Sequence, residues 1–303
     1  MEFKKYMDIE RLKDKYIDGF QKGDYIVVQE KIDGANFSFG YDETTDGIKS
    51  CSRNRELGLG NNLRGAYEWS QQLDKTKVKK VLGNNLIIFS EWLIPHSVPY
   101  PQNRYKNVYC YDVYDDLNKI YLPQSEVKRI VQELDLIYIP IFYEGEFTSW
   151  EELKQFIGQT KLDGEYGEGI VVKNMTRLND PNNRLPFYTK LVCEKFIETK
   201  GHDGVKVIDT DKLAEKAKLQ KLVESIVTEA RVIKLLHKMV DENIIPEDWD
   251  EKHMGIIAKN MGKNVYYDCV KEEEEIVGIV GEDFGRISNF IAMKIVKSEL
   301  NKR

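Results

Sequence analysis

Glu30-Lys31-Ile32-Asp33-Gly34-Ala35-Asn36 is the stretch on which the reading of this chain turns. On its N-terminal side, Tyr25–Ile32 reads as an apolar strand, and Gly34 breaks it. On its C-terminal side, Ala35–Tyr41 alternates as a second strand, with Phe37 and Phe39 on one face and Asn36 and Ser38 on the other. Lys31 therefore closes an apolar strand just before a glycine turn. A lysine in such a place can serve as a covalent nucleophile, provided desolvation or nearby cations leave it deprotonated. The plainer reading is a strand-end lysine ahead of an Asp-Gly turn, and the short motif alone does not choose between them.

Outward from this stretch, short helical and strand-like segments alternate. Residues 8–20 pattern as a helix with Ile9, Leu12, Tyr16 and Ile17 on one face, and Gly47–Ser52 as a further strand. Asn61–Val81 reads as one helix carrying Leu63, Tyr67, Leu73 and Val78. Strands are expected over Asn85–Leu93, Val108–Tyr114, Glu168–Lys173 and Phe187–Val192, and helices over Pro123–Leu134 and Trp150–Ile157. The series is strand-rich α+β without regular βαβ alternation. Beyond about residue 200 the pattern turns helical. One long helix is expected over 210–240, with others near 246–261 and 284–300. Gly201–Asp209 reads as the linker, and Glu272–Glu275 as a solvated helix face.

Composition narrows the function classes. The 303 residues are 41% hydrophobic and 32% charged, a folded chain of one large or two ordinary domains. No apolar run approaches the roughly 20 residues of a membrane helix, and MEFKKYMDIE lacks a secretory apolar core, so a cytoplasmic protein without membrane association is expected. Cys51, Cys110, Cys193 and Cys269 are too scattered for a zinc site and read as reduced core residues. The four histidines form no pair at ligand spacing, and no glycine-rich phosphate loop of the P-loop or Rossmann type occurs. Net charge is −6, and residues 201–303 hold 17 Lys+Arg against 20 Asp+Glu. No region is a bulk polycation, so nucleic acid would have to use a local basic groove.

Further short motifs follow in order: Ser52-Arg53-Asn54, Phe89-Ser90-Glu91-Trp92, Tyr109-Cys110-Tyr111-Asp112-Val113, Glu168-Gly169-Ile170-Val171-Val172-Lys173 and Lys190-Leu191-Val192. Each is weak alone. Together, in this order and spacing, they resemble the nucleotidyltransferase motifs of the covalent ligase and capping-enzyme superfamily, and most nearly the ATP-dependent RNA ligases of the RNA ligase 2 group. The resemblance runs over about 30–195 and extends more weakly into the helical tail. It implies an α+β adenylyltransferase domain of antiparallel sheets with helices over residues 1–200, and a helical C-terminal domain over 210–303.

The resemblance also implies roles. Lys31 would attack the α-phosphate of ATP and hold AMP as a phosphoramidate, with Lys173 and Lys190 close by to depress its pKa and offset phosphate charge. Glu91 would accept hydrogen bonds from the ribose, and Tyr111 would stack on adenine. Glu168 would steer Mg²⁺ through water. Glu30 either helps read the adenine edge or faces water. Asn36 and Arg53 would handle the nucleotide phosphate and the 5′-phosphate strand, with Arg55 in the same strand phase as a competitor. One departure stands out: the last motif often carries two basic residues one apart, and here Val192 takes the second place.

RNA, as a nicked duplex or as free ends, is the partner the resemblance implies, and a monomer is expected. DNA ligases and capping guanylyltransferases usually append a strand-rich OB barrel, which this tail does not resemble. A nucleic-acid-binding module that keeps the fold without activity is the remaining alternative. In the tail, Lys212, Lys216 and Lys218, and Arg231, Lys234 and Lys238, are either nucleic-acid contacts or plain solvent-facing positions.

Overall fold

The computed structural model describes residues 2–12, 19–179, 185–193 and 212–302, with side chains from 218 onward in the last segment. The chain divides into two compact units, Met1–Cys193 and Glu194–Arg303. The expected linker at Gly201–Asp209, most of the expected first helix, and the side chains of Lys212 and Lys216 lie outside the described residues.

The first unit opens with β1 (Glu10–Arg11), β2 (Tyr25–Lys31), β3 (Ala35–Asp42) and β4 (Gly47–Ser52). The helices α1 (Ala66–Gln71) and α2 (Lys75–Leu82) follow, then β5 (Leu86–Trp92), β6 (Val108–Asp115) and β7 (Ile120–Tyr121). After α3 (Gln124–Glu133) come β8 (Ile137–Tyr138), β9 (Ile141–Glu146), α4 (Trp150–Lys154), β10 (Gly169–Asn174) and β11 (Tyr188–Val192). Two sheets result. One has the order β1-β11-β10-β2-β9, antiparallel except for β1 against β11. The other has the order β4-β3-β5-β6-β7, with β8 added parallel to β6.

Alternation explains the layering. In the five-stranded sheet, Ile26 and Val28 of β2 and Ile170 and Val172 of β10 turn to one side and pack with Phe20, Phe147 and Leu153. The opposite side carries Lys31 and Lys173. In the six-stranded sheet, Phe37, Phe39, Ile88, Trp92, Cys110 and Val113 face a core roofed by α1, α2 and α3. That leaves Asn36, Phe89 and Glu91 on the other side. The side chains of Lys173 and Asp112 meet between the two sheets.

Several expectations need correction. The single helix expected over Asn61–Val81 is two, because Asp74 caps α2 by accepting from the Thr76 and Lys77 N–H groups. Residues 10 and 11 of the expected first helix are strand β1. The strand β9, hidden behind a proline in an apolar run, is a full edge partner of β2.

The second unit is helical: α5 (Lys212–Ile226), α6 (Glu229–Asp241), α7 (Met254–Glu272), α8 (Glu274–Val280) and α9 (Phe284–Leu300). The long helix expected over 210–240 breaks where Thr228 caps α6 by accepting from the Arg231 N–H. Its core includes Val232, Leu236, Met239, Ile257, Met261 and Phe284. Arg231 belongs neither to solvent nor to a nucleic-acid contact: it is fully buried and ion-paired with Asp268, Glu272 and Glu273. The acidic run is thus divided, with Glu272 and Glu273 turned to Arg231 and Glu274 and Glu275 exposed. No helix among the described residues is long and apolar enough to cross a membrane.

Candidate active site

Lys31 stands where the chain leaves one sheet for the other. It is the last residue of β2, and Ile32-Asp33-Gly34 crosses to β3 in the second sheet. The crossing is tight: a Cβ on Gly34 would lie 2.6 Å from the Trp92 carbonyl oxygen, so only glycine fits there. The Gly34 N–H donates to Glu91 Oε1 at 3.1 Å, which ties the turn to the end of β5. Asp33 anchors it from the other side. Its Oδ2 accepts from the Val98 N–H at 2.8 Å, its Oδ1 lies 3.6 Å from His96 Nδ1, and its own N–H donates to the Tyr100 hydroxyl at 3.2 Å.

The Lys31 ammonium donates to Glu168 Oε2 at 2.5 Å, with the lysine side chain 22% exposed. Glu168 immediately precedes β10, and Gly169 pairs with Lys31 across the ladder. A Cβ on Gly169 would lie 2.2 Å from the Leu191 carbonyl oxygen, so glycine lets the strands close here. Lys31, Glu168, Glu91 and Asp33 thus form one cluster, and their charges act on one another. Burial works to raise the Asp33 carboxyl. The hydrogen bond and charge of His96, the charge of Lys31 and the Val98 N–H override it and hold that carboxyl at about 2. Desolvation pushes Glu91 the other way. Lys31 and His96 oppose the shift, Glu168 and Asp33 add to it, and the group is pushed up to about 8.

Lys173 is buried and does not use its ammonium against Lys31. It binds Asp112 Oδ2 at 2.8 Å and the Tyr111 carbonyl oxygen at 2.8 Å, and it lies over the rings of Tyr111 and Tyr188. Desolvation lowers its pKa, and Asp112 works against that. In the ladder Lys173 stands opposite Val27, four residues along β2 from Lys31 or about 13 Å of strand. Lys190 is opposite Val171, and the residue in the row of Gly169 and Lys31 is Val192.

Tyr111 owes its position to a β-bulge. Phe89 pairs with Asp112 and Ser90 with Cys110, which leaves Tyr111 as the extra residue. Its hydroxyl accepts from Asn36 Nδ2, and Tyr6 packs edge-on against its ring at 5.1 Å between centroids. Asn36 pairs with Glu91 across the ladder. Arg53 follows directly after β4 and is ion-paired with Asp8. Arg55 hides Nε and Nη2 from solvent without a hydrogen-bond partner among the described residues. Glu30 does not face water. It is fully buried on the other side of the sheet from Lys31, its carboxylate accepting from Thr160 Oγ1 at 2.5 Å and the Lys161 N–H at 2.9 Å.

Sequence reasoning missed Asp112, Tyr6, Asp33, His96 and Asp8. For Asp112 a signal existed: a charge within the continuously buried strand Val108–Asp115 requires a partner. It has three, since the Tyr6 hydroxyl (2.5 Å) and Gln124 Nε2 (2.7 Å) donate to it beside Lys173. Asp8 and His96 reach the site from sequence positions without a local pattern.

No group of three or more His, Cys, Asp and Glu residues among the described residues could cage a metal ion. The cluster instead offers the hard carboxylate oxygens of Glu168. That donor set fits a Mg²⁺ that keeps most of its waters and leans on nucleotide phosphates.

Residues 24–192, more than half of the chain, match the sequence model of the RNA ligase family, and the chain belongs to that family. No curated protein sequence matches it. Among solved structures it is similar to Naegleria gruberi RNA ligase. With PPi, that protein is 21% identical over 65% of this chain and 57% of its own, at a TM-score of 0.47. A mutant with ATP and Mn is 22% identical over 63% and 57%, also at 0.47. The chain spans a little over half the length of these proteins.

Proposed function

We propose that this chain is an ATP-dependent RNA ligase that seals a 3′-hydroxyl to a 5′-phosphate in three steps, acting as a cytoplasmic monomer. In the first, the neutral Lys31 amine attacks the α-phosphorus of ATP. The N–P bond forms as the bond to pyrophosphate breaks, and the amine proton leaves. In the second, a 5′-phosphate oxygen of RNA attacks that phosphorus and the N–P bond breaks, leaving a 5′–5′ AMP cap on the RNA. In the third, the 3′-hydroxyl attacks the capped phosphate, the phosphodiester forms and AMP departs.

The observation that carries this reading is the contact between Lys31 and Glu168 at the mouth of the crossing, with Glu91 beside it, in a chain of the RNA ligase family. Glu168 holds the ammonium until nucleotide arrives, and Lys31 must shed that contact and its proton to attack. Glu91 would receive the ribose hydroxyls and Tyr111 the adenine ring, with Glu30 bracing the strand end close to the base. Asn36 and Arg53 would take the phosphates, Arg53 after exchanging Asp8 for them. Lys173 and Lys190 would offset negative charge building on the phosphates. Mg²⁺, near Glu168, would supply charge neutralisation on the triphosphate. The helical second unit supports the RNA branch over relatives that append a strand-rich barrel.

The test is incubation with α-labelled ATP and Mg²⁺ followed by a denaturing gel. Labelled protein is expected, with none from GTP and none from Lys31→Ala. Label retained by Lys31→Ala would overturn the nucleophile. A panel of RNA–RNA, RNA–DNA and DNA–DNA nicks then tests the polymer, and sealing of all-DNA nicks alone would remove the RNA assignment.

A further inference from the structure

The second unit carries more acidic than basic residues, yet two of its helices depart sharply from that balance. Residues 254–267 of α7 and 284–298 of α9 contain no Asp or Glu and five Lys or Arg: Lys259, Lys263, Arg286, Lys294 and Lys297. The two helices are neighbours and run antiparallel. A Cβ on Gly262 would lie 2.7 Å from the Asn289 side chain, and four residues later in α7 the Tyr266 ring lies against Gly285, four residues earlier in α9.

Each helix arranges these residues in a stripe. On α7, Lys259, Lys263 and Tyr267 are four apart; on α9, Arg286, Phe290 and Lys294 are four apart, with Lys297 three further on. Both stripes point away from the buried rows, which are Ile257, Met261 and Val265 on α7 and Phe284, Ile291 and Val296 on α9. By helical phase they flank the α7–α9 seam on a single outer face. Tyr267 is 61% exposed and Phe290 63%, an unusual exposure for two large aromatics on regular helices. Among the described residues, Lys259, Lys263, Lys294 and Lys297 have no carboxylate within 4 Å, while Arg286 pairs with Asp283 at the edge of the face.

We infer that this outer face of α7 and α9 is a docking surface for an RNA strand with unpaired bases; only the identity of the polymer rests on the ligase reading. Cations at one-turn intervals match a phosphate backbone, and an exposed ring in each stripe offers a flat surface on which a base can stack. Concentrating positive charge here, in a unit that is otherwise acidic, favours this face for the strand.

The experiment is fluorescence anisotropy of the full chain with an end-labelled single-stranded RNA over a range of salt. Lys259→Glu/Lys263→Glu is expected to weaken binding roughly tenfold or more and to flatten the salt dependence, by about 0.7 in log–log slope for each phosphate that is no longer neutralised. Tyr267→Ala/Phe290→Ala is expected to weaken it at least about fivefold with the slope unchanged, and to leave binding of fully paired RNA nearly intact. Lys234→Glu/Lys238→Glu, on exposed positions of α6, is the control and should bind as wild type does. Unchanged affinity in the first two variants overturns the inference. So does equal weakening in the control, or sedimentation showing that the substitutions abolish self-association while RNA affinity holds. AMP labelling should be the same in all of these variants. A wild-type chain that binds RNA through this face but never takes the label would defeat the ligase reading and spare this one.

Discussion

Among the described residues each unit buries one long cation, and the two are neutralised differently. Lys173 meets a single carboxylate, Asp112, together with one carbonyl oxygen and the faces of two aromatic rings. Arg231 meets three carboxylates, Asp268, Glu272 and Glu273, and also donates to the Ile226 carbonyl oxygen at 2.7 Å. An arginine is charged under all conditions, and its planar fork suits several acceptors at once, so Arg231 ties the start of α6 to the end of α7. A lysine with one counter-charge is a lighter commitment. Desolvation already lowers its pKa, and the ammonium can respond when phosphate charge arrives. The contrast teaches that burial of a cation does not by itself mark a functional site; the number and kind of its partners decide how firmly it is held.

Breaking each pair should separate them. Arg231→Met leaves three carboxylates without their cation, so the helical unit should lose about 3–5 kcal/mol in denaturant unfolding. AMP labelling of Lys31 in the other unit should persist. Loss of labelling with Arg231→Met would mean that this brace serves the chemistry as well. Lys173→Met should do the reverse, lowering the rate of labelling by about 10² or more. Because it also strands Asp112, the double variant Lys173→Met/Asp112→Asn is the sharper probe. It removes both charges and keeps an acceptor oxygen for Tyr6 and Gln124, so it should recover much of the stability and none of the labelling. Recovery of both would make Lys173 a structural residue.

Two carboxyls of the cluster around Lys31 make a second contrast, readable in pH. Glu91 is raised to about 8 from an ordinary value near 4.5, so between those values the native chain holds a proton that the unfolded chain has released. Its contribution is present in full below pH about 4.5 and is lost as pH rises through 8. Asp33, held at about 2, contributes stability above pH about 4 that disappears as pH falls toward 2. Thermal melts across pH should therefore show Glu91→Gln flattening the decline between about pH 5 and 8, by a few degrees at most. Asp33→Asn should flatten the acid arm. A Glu91→Gln melt curve parallel to that of wild type would remove the desolvated carboxyl from the cluster.

How far such a site can be read from sequence depends on the range of the contacts that build it. The crossing from β2 through Gly34 to β3 was legible because a glycine between an apolar run and an alternating one is a local signal, and α9 was legible because an unbroken 3.6-residue period needs no distant partner. Breaks inside periodic stretches were not. The stops before α2 and α6 rest on Asp74 and Thr228, single capping residues inside continuous apolar patterns. The bulge at Tyr111 was hidden for a related reason. Strict alternation sends Tyr111 and Asp112 to opposite faces, and only the pairing with β5 reveals an extra residue that turns both toward Lys173. The roles of Arg231 and Glu30 depended on partners 30 to more than 100 positions away, which one-dimensional spacing does not encode.

The mildest expected effect concerns Val192, where the last motif departs from the two-cation pattern. Val192, Gly169 and Lys31 stand in one row across β11, β10 and β2, and residues paired in antiparallel strands share a face. Gly169 adds no side chain of its own to the row, and position 192 lies about 10 Å from Lys31 across two strand spacings, within the reach of a long side chain. Val192→Lys should therefore put a cation on the phosphate side of Lys31 and improve use of ATP a few-fold. The gain should come mainly through a lower KM, because a charge that grips the triphosphate acts on bound ATP before any bond changes. A gain confined to kcat would mean instead that the new cation acts on the reacting lysine, as a neighbouring positive charge would by favouring the neutral amine. No change in either, with an unaltered melting temperature, would mean that the triphosphate does not cross this row and that Lys190 grips it from further up the strand.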